Sequence, residues 1–200
     1  MFQSQITNEE LAALGTAQYD GRIVVVDSEH KIEAACSHLA QHRIIGFDTE
    51  TRPSFKAGVT NRVSLLQLYV PGCCYLFRLC RVKLDRQIIK LLENGDILKI
   101  GAAVHGDIDA LHKLRHFREA GFVDLQTIAP QWGIEDKSLR KLSAIVLGRK
   151  ISKAQRLSNW EAALLTPQQQ TYAATDAWVC SEIYARLCAT PKTTKNTTKH

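Results

Sequence analysis

The sequence has no uninterrupted apolar run long enough to span a bilayer. Its opening residues, MFQSQITNEELAALG, lack the basic segment and following apolar stretch of a secretory leader. These absences disfavour a membrane or secreted protein, and a soluble, cytoplasmic one is expected. The six cysteines, Cys36, Cys73, Cys74, Cys80, Cys180 and Cys188, form no CxxC pair and no zinc-knuckle spacing. A structural zinc site is therefore not indicated, and reduced thiols are the expected state. No glycine-rich phosphate loop occurs, which argues against nucleoside-triphosphate hydrolysis. No internal repeat or linker divides the chain, and 200 residues, 45% of them hydrophobic, suffice for one well-buried core. We expect a single domain over residues 1–189 with its core at about 22–188.

Acidic residues are outnumbered, 20 Asp+Glu against 26 Lys+Arg, for a net charge of +6. That balance favours a polyanionic partner, with nucleic acid the leading candidate. Part of the excess, Lys192, Lys195 and Lys199, lies in TPKTTKNTTKH. This tail has no apolar face to bury, and disorder is expected over 190–200.

Along the chain the hydrophobic period alternates between two and 3.6. RIVVV (22–26) predicts a strand, and Ser28 predicts the N-cap of a helix carrying Ile32, Ala35 and Leu39 on one face. RIIGFDTE (43–50), RVSLLQLYV (62–70) and CCYLFRL (73–79) predict three further strands, the last two joined by a Pro71-Gly72 turn. A helix over 84–95 stopped by Gly95, a buried strand over 97–103, a helix over 105–117 and a short strand at 122–125 follow. A helix over 138–148 closes on Gly148. Thr166-Pro167-Gln168-Gln169 combines an N-cap, a proline at the first helical position and a capping-box Gln, so a long helix should run to about 188.

The candidate chemistry lies in carboxylates. Asp48 and Glu50 are two apart at the end of a predicted strand, which puts both on one face. Two like charges side by side call for a cation. Hydrolysis of a phosphodiester needs a nucleophile and relief of negative charge, which two divalent ions about 3.5–4 Å apart supply. Hard oxygen ligands suit Mg²⁺ or Mn²⁺. Tyr172 and Asp176 are four apart on the last predicted helix and share a face. Asp107 follows a buried strand, where it competes with Asp109 and with a plain dipole-complementing role. Each signal alone also fits solvated strand ends, a packed tyrosine or helix-start charge.

Taken in order, DTE at a strand end, an Asp early in a helix and YxxxD in a late helix resemble the DEDD exonuclease superfamily, in the subclass whose third motif carries tyrosine. GFDTET, GAAVHGDIDALHKL and LSNWEAALLTPQQQTYAATDA are similar to the exonuclease domains of ribonuclease D and, more nearly, of the Werner syndrome helicase. The resemblance covers roughly residues 22–188. It implies an α/β, ribonuclease H-like fold, a mixed central sheet flanked by helices with the acidic residues at one edge. It also implies a 3′-5′ exonuclease releasing nucleoside 5′-monophosphates by a two-metal-ion mechanism. By the same resemblance, Asp48 would bridge both metals, Glu50 and Asp176 would hold the metal that activates water, and Asp107 would support the second. Tyr172 would position the attacking water. Asp107 is preferred to Asp109 because it aligns with the Gly-Asp of the Werner-like pattern, in which the residue two later is tryptophan.

Around these motifs, the backbone at Thr49 is implied to lie against the terminal nucleotide, while Phe47 reads as core. Arg140, Lys141, Arg149, Lys150, Lys153 and Arg156 form a basic stretch between the second and third motifs. Arg149, Lys150 and Lys153 are taken as phosphate contacts, with a solvated helix face as the plain alternative. Trp160 is expected to pack the loop before the last helix. His112 and His116 are four apart but have no third ligand nearby in sequence, so they read as surface residues. The Werner-type resemblance favours DNA slightly over RNA. A catalytically silent nucleic-acid-binding module of the same fold is the competing reading, and retention of four carboxylates and the tyrosine weighs against it.

Overall fold

The computed structural model describes residues 1–56, 58 and 60–193; the tail beyond Thr193 lies outside the described residues. Six strands form one mixed sheet in the order β1-β4-β3-β2-β5-β6. These are β1 (Arg22–Val26), β2 (Ile44–Thr51), β3 (Val63–Val70), β4 (Cys73–Phe77), β5 (Leu98–Gly101) and β6 (Phe122–Asp124). β3 pairs antiparallel with β2 and β4, while β1–β4, β2–β5 and β5–β6 pair parallel. Gly72, at φ 85°, makes the turn between β3 and β4.

β3 is buried at all eight positions, which is why VSLLQLYV runs almost without alternation. Leu66, Leu68 and Val70 face α2 (Ile32–Leu39), α3 (Arg86–Glu93) and α4 (Val104–His112). Leu65 and Tyr69 face α7 (Pro167–Cys188) on the other side. The 22 residues of α7 span about 33 Å at helical rise, enough to cross the sheet from β4 to β5. α5 (Leu125–Ile128) and α6 (Leu139–Leu147) pack against α7. The expected α/β architecture, a mixed sheet flanked by helices, is what the chain forms.

Local differences from the expectations have physical causes. Ser28 does not cap a long helix: its hydroxyl is turned to Asp27, a 3₁₀ turn occupies Glu29–Lys31, and α2 begins at Ile32. The helix expected to reach residue 117 ends at His112, because the chain must turn for Phe117 to enter the core, where it is 3% exposed. His112 is part-buried there, bonded to the Phe117 carbonyl at 3.1 Å. Residues 190–193, expected to be disordered, are packed: the Trp132 indole donates to the Thr190 carbonyl at 2.7 Å, and Thr193 N donates to the Gln131 carbonyl at 3.0 Å. The N-terminal segment carries a helix of its own, α1 (Asn8–Ala13), closed by a Thr7–Glu10 capping box.

Candidate active site

Small residues bring α7 down onto β2. Ala173, Ala174 and Ala177 are fully buried, and a Cβ on Gly46 would overlap the Ala177 carbonyl. This close approach sets Asp176, one residue before Ala177, over the β2 face that carries Asp48 and Glu50. Carboxylate oxygens of Asp48, Glu50 and Asp176 lie within 4.8 Å of one another. The alternation of β2 sends Phe47 to the opposite face, where it is fully buried and meets the Phe122 ring edge-on at 5.2 Å.

Asp107 approaches from α4 and does not join that trio. Thr49, between the two acidic residues of β2, points the other way and donates its hydroxyl to Asp107 Oδ1 at 2.5 Å. Asp109 is exposed and faces His105 at 3.5 Å. The start of α4 is fixed by Asp124 at the end of β6, whose carboxylate accepts from the backbone N–H groups of Ala103 and Val104 at 3.1 Å each. Ala103 has φ 60°, a left-handed conformation that favours glycine, and the Asp124 bonds hold it there.

Among the described residues no basic side chain forms an ion pair with Asp48, Glu50, Asp107 or Asp176. Burial therefore raises every carboxyl, and repulsion from its neighbours in the cluster adds to this at Asp48 and Glu50. Asp48 is held well above the ordinary carboxylate range, by burial first and then by Asp176, Asp107 and Glu50. Glu50 is pushed up to about 9 by burial, Asp176 and Asp107. Asp176 is pushed up to about 8 by burial, with the Tyr172 hydroxyl acting in the opposite direction. Asp107 is raised to about 6, mainly by burial, against the Thr49 hydrogen bond. The Asp176 Oδ1 atom is buried and without a hydrogen-bond partner. An all-oxygen donor set, crowded, unpaired and deprived of any neutralising side chain, fits hard divalent cations.

Tyr172 lies one turn before Asp176, and burial followed by Asp176, Glu50 and Asp48 holds its phenol above the usual range. Its ring rests on Trp160 at 6.0 Å between centroids. Trp160 is completely buried, in the loop before α7, where it was expected to pack. The loop is clamped by Arg78, itself 2% exposed, whose guanidinium donates to the carbonyls of Ala163 at 3.0 Å and Ala162 at 2.5 Å. Glu161 ties the same loop to the end of β2 through Arg52 at 3.1 Å. Sequence reasoning missed Arg78 and Asp124. The only signal for Arg78 was a charge closing the otherwise apolar run CCYLF.

The basic stretch divides. Arg149, Lys153 and Arg156 are exposed. Lys150 instead ties down the N-terminal segment: its ammonium donates to the Ala12 carbonyl at 2.5 Å, and its backbone pairs with Gly15 and Ala17. Lys141 is paired with Asp136 at 2.8 Å. Between the 151–155 loop and α7 lies a cavity of about 380 Å³, walled by Gln18, Ser152, Gln155, Gln168, Thr171 and Tyr172.

A family model described as 3′-5′ exonuclease matches residues 23–190. The exonuclease 3′-5′ domain-containing protein 2 of Drosophila melanogaster is 36% identical over 157 residues, covering 76% of this chain and 26% of that protein. The mouse bifunctional 3′-5′ exonuclease/ATP-dependent helicase WRN is 37% identical over 155 residues, covering 74% of this chain and 11% of that protein. The chain thus spans about a quarter or less of these relatives. Among solved structures, the Nibbler EXO domain of Aedes aegypti superposes with a TM-score of 0.72 at 27% identity, covering 82% of this chain and 86% of that one. Escherichia coli RNase D shares the fold, with a TM-score of 0.76 at 20% identity over 84% of this chain and 44% of that one. Matched by the family model over most of its length, and by relatives identical at more than a third of aligned positions, the chain belongs to the 3′-5′ exonuclease family of the DEDD superfamily.

Proposed function

We propose that this chain hydrolyses the phosphodiester bonds of a nucleic acid stepwise from the 3′ end, releasing nucleoside 5′-monophosphates. The observation that carries the reading is the approach of Asp48, Glu50 and Asp176 oxygens to within 4.8 Å of one another without any basic partner. Asp48, Glu50, Asp107 and Asp176 would hold two divalent cations, Mg²⁺ or Mn²⁺. When bound, such ions supply an activated water and offset the charge that builds on the phosphate. By the family resemblance, Asp48 would serve both ions. The Tyr172 hydroxyl would orient the attacking water, its ring held by Trp160. Exposed Arg149 and Lys153 would contact backbone phosphates, and the backbone at Thr49 would lie against the terminal nucleotide. The Werner-type resemblance favours DNA slightly over RNA.

The test is end-labelled DNA and RNA of matched sequence, with products resolved by length. Mononucleotides released one at a time, lost in excess chelator and in Asp48→Asn, are expected. Internal fragments, or full activity in either control, would overturn the reading. A silent binding module would bind the strands and leave them intact.

A further inference from the structure

Gln67 is out of place by any stability criterion. It sits in the middle of β3 among Leu65, Leu66 and Leu68, it is fully buried, and neither its amide nitrogen nor its amide oxygen has a hydrogen-bond partner. A primary amide withdrawn from water and left unpaired costs free energy that Leu or Met would not. Such a residue in a strand otherwise built for the core points to a polar role.

Its register indicates which one. Gln67 stands directly opposite Asp48 in the antiparallel β2–β3 pair. Directly opposed side chains share a face, with Cβ atoms about 4.5–5.5 Å apart. That face also carries Leu65 and Tyr69, packed against Ala173 and Ala177 of α7. The amide therefore belongs to the floor beneath the carboxylates, and Asp48 is the acidic residue it faces across the strand pair.

We infer that Gln67, unpartnered in the cation-free chain, is a positioning residue, whose amide N–H becomes the donor to the Asp48 carboxylate when the cations are bound and so fixes how its oxygens are presented to them. This rests on the proposed function. The chemistry explains the residue type. Lys or Arg at this position would neutralise Asp48 and repel the cations. Glu would add a further buried charge with no donor, and Leu would leave the carboxylate free to rotate. A neutral donor orients the carboxylate and leaves its charge available to the cations.

The experiment compares wild type with Gln67→Met, which keeps length and volume but has no donor, and with Gln67→Leu should the methionine variant fail to fold. Mn²⁺ affinity is measured by titration calorimetry well below each melting temperature, and thermal unfolding is followed separately in chelator. Removing an outer partner of a metal ligand typically weakens metal affinity by about 10–100-fold. The expected result is such a loss of Mn²⁺ affinity together with a melting temperature in chelator that is unchanged or raised. Mn²⁺ affinity equal to that of wild type overturns the assignment, whatever the melting temperature. A wild-type chain that binds no Mn²⁺ overturns the proposed metal site and this inference with it, an outcome distinct from equal binding by both proteins.

Discussion

Gly46 lies so close beneath the carbonyl of Ala177 that no side chain fits between them. This one contact joins the core of the sheet to the site, because Asp48 follows two residues later on β2 and Asp176 immediately precedes Ala177 on α7. The separation of the two carboxylates is therefore set by a missing Cβ. In Gly46→Ala, α7 must lift from the sheet, at about 1–3 kcal/mol of overpacking. We expect nuclease turnover to fall by more than this loss of stability explains in a chain that remains folded. Urea unfolding beside single-turnover cleavage measures both, and a destabilised variant with wild-type turnover would separate the contact from the site.

The pH dependence of stability has a defined sign. In the cation-free protein Asp107, Asp176 and Glu50 are pushed up to about 6, 8 and 9, and Asp48 is also raised, whereas unfolded carboxyls titrate near 4. Between about pH 4 and 9 the folded chain thus holds more protons than the unfolded one. Unfolding free energy must fall as pH rises through this window. Denaturation in chelator at several pH values should show this decline, and Asp176→Asn should make it shallower. Excess Mg²⁺ should also flatten it, since cations bind the ionised carboxylates. A wild-type decline identical to that of Asp176→Asn would mean that the buried cluster does not control it.

Much of this was legible in the sequence because the signals were local. Asp48 and Glu50 share a strand face by a spacing of two, and Tyr172 and Asp176 share a helix face by a spacing of four. The Thr166–Gln169 capping box places the start of the helix that carries the second pair, and both of its hydrogen bonds form. What escaped depends on contacts between distant segments. Arg78 clamps carbonyls more than 80 positions away, Asp124 holds the start of a helix 20 positions earlier, and Gln67 acquires meaning only from its register against Asp48. Periodicity reports which face a residue occupies and is silent on what that face meets. The α1 capping box at Thr7–Glu10 is the exception, a local signal fully present in the sequence.

The basic stretch should separate into two functions. Arg149→Ala and Lys153→Ala are expected to weaken binding to all sequences alike, each lowering the salt slope of log K by about 0.7–0.9. Lys150→Ala should leave that slope nearly unchanged and lower stability instead, because its ammonium is held by the Ala12 carbonyl. Binding isotherms over a range of salt concentrations decide it. Equal slopes in Arg149→Ala, Lys153→Ala and wild type would assign the exposed pair to a solvated face.

Tyr172→Phe isolates a single hydroxyl. Its ring is fixed by packing on Trp160, and the Arg78 clamp on the loop does not depend on the phenol oxygen, so the phenylalanine ring should occupy the same place. If the hydroxyl orients the attacking water, turnover should fall by orders of magnitude while Mn²⁺ affinity and substrate binding stay near wild type. If the tyrosine only fills space, the change should cost about 1 kcal/mol of stability with turnover preserved. Trp160→Phe provides the complementary case. It leaves the hydroxyl in place but loosens the surface beneath the ring, so turnover and stability should fall together. Single-turnover cleavage measured beside thermal unfolding distinguishes the two, and a fully active Tyr172→Phe chain would remove the tyrosine from the mechanism.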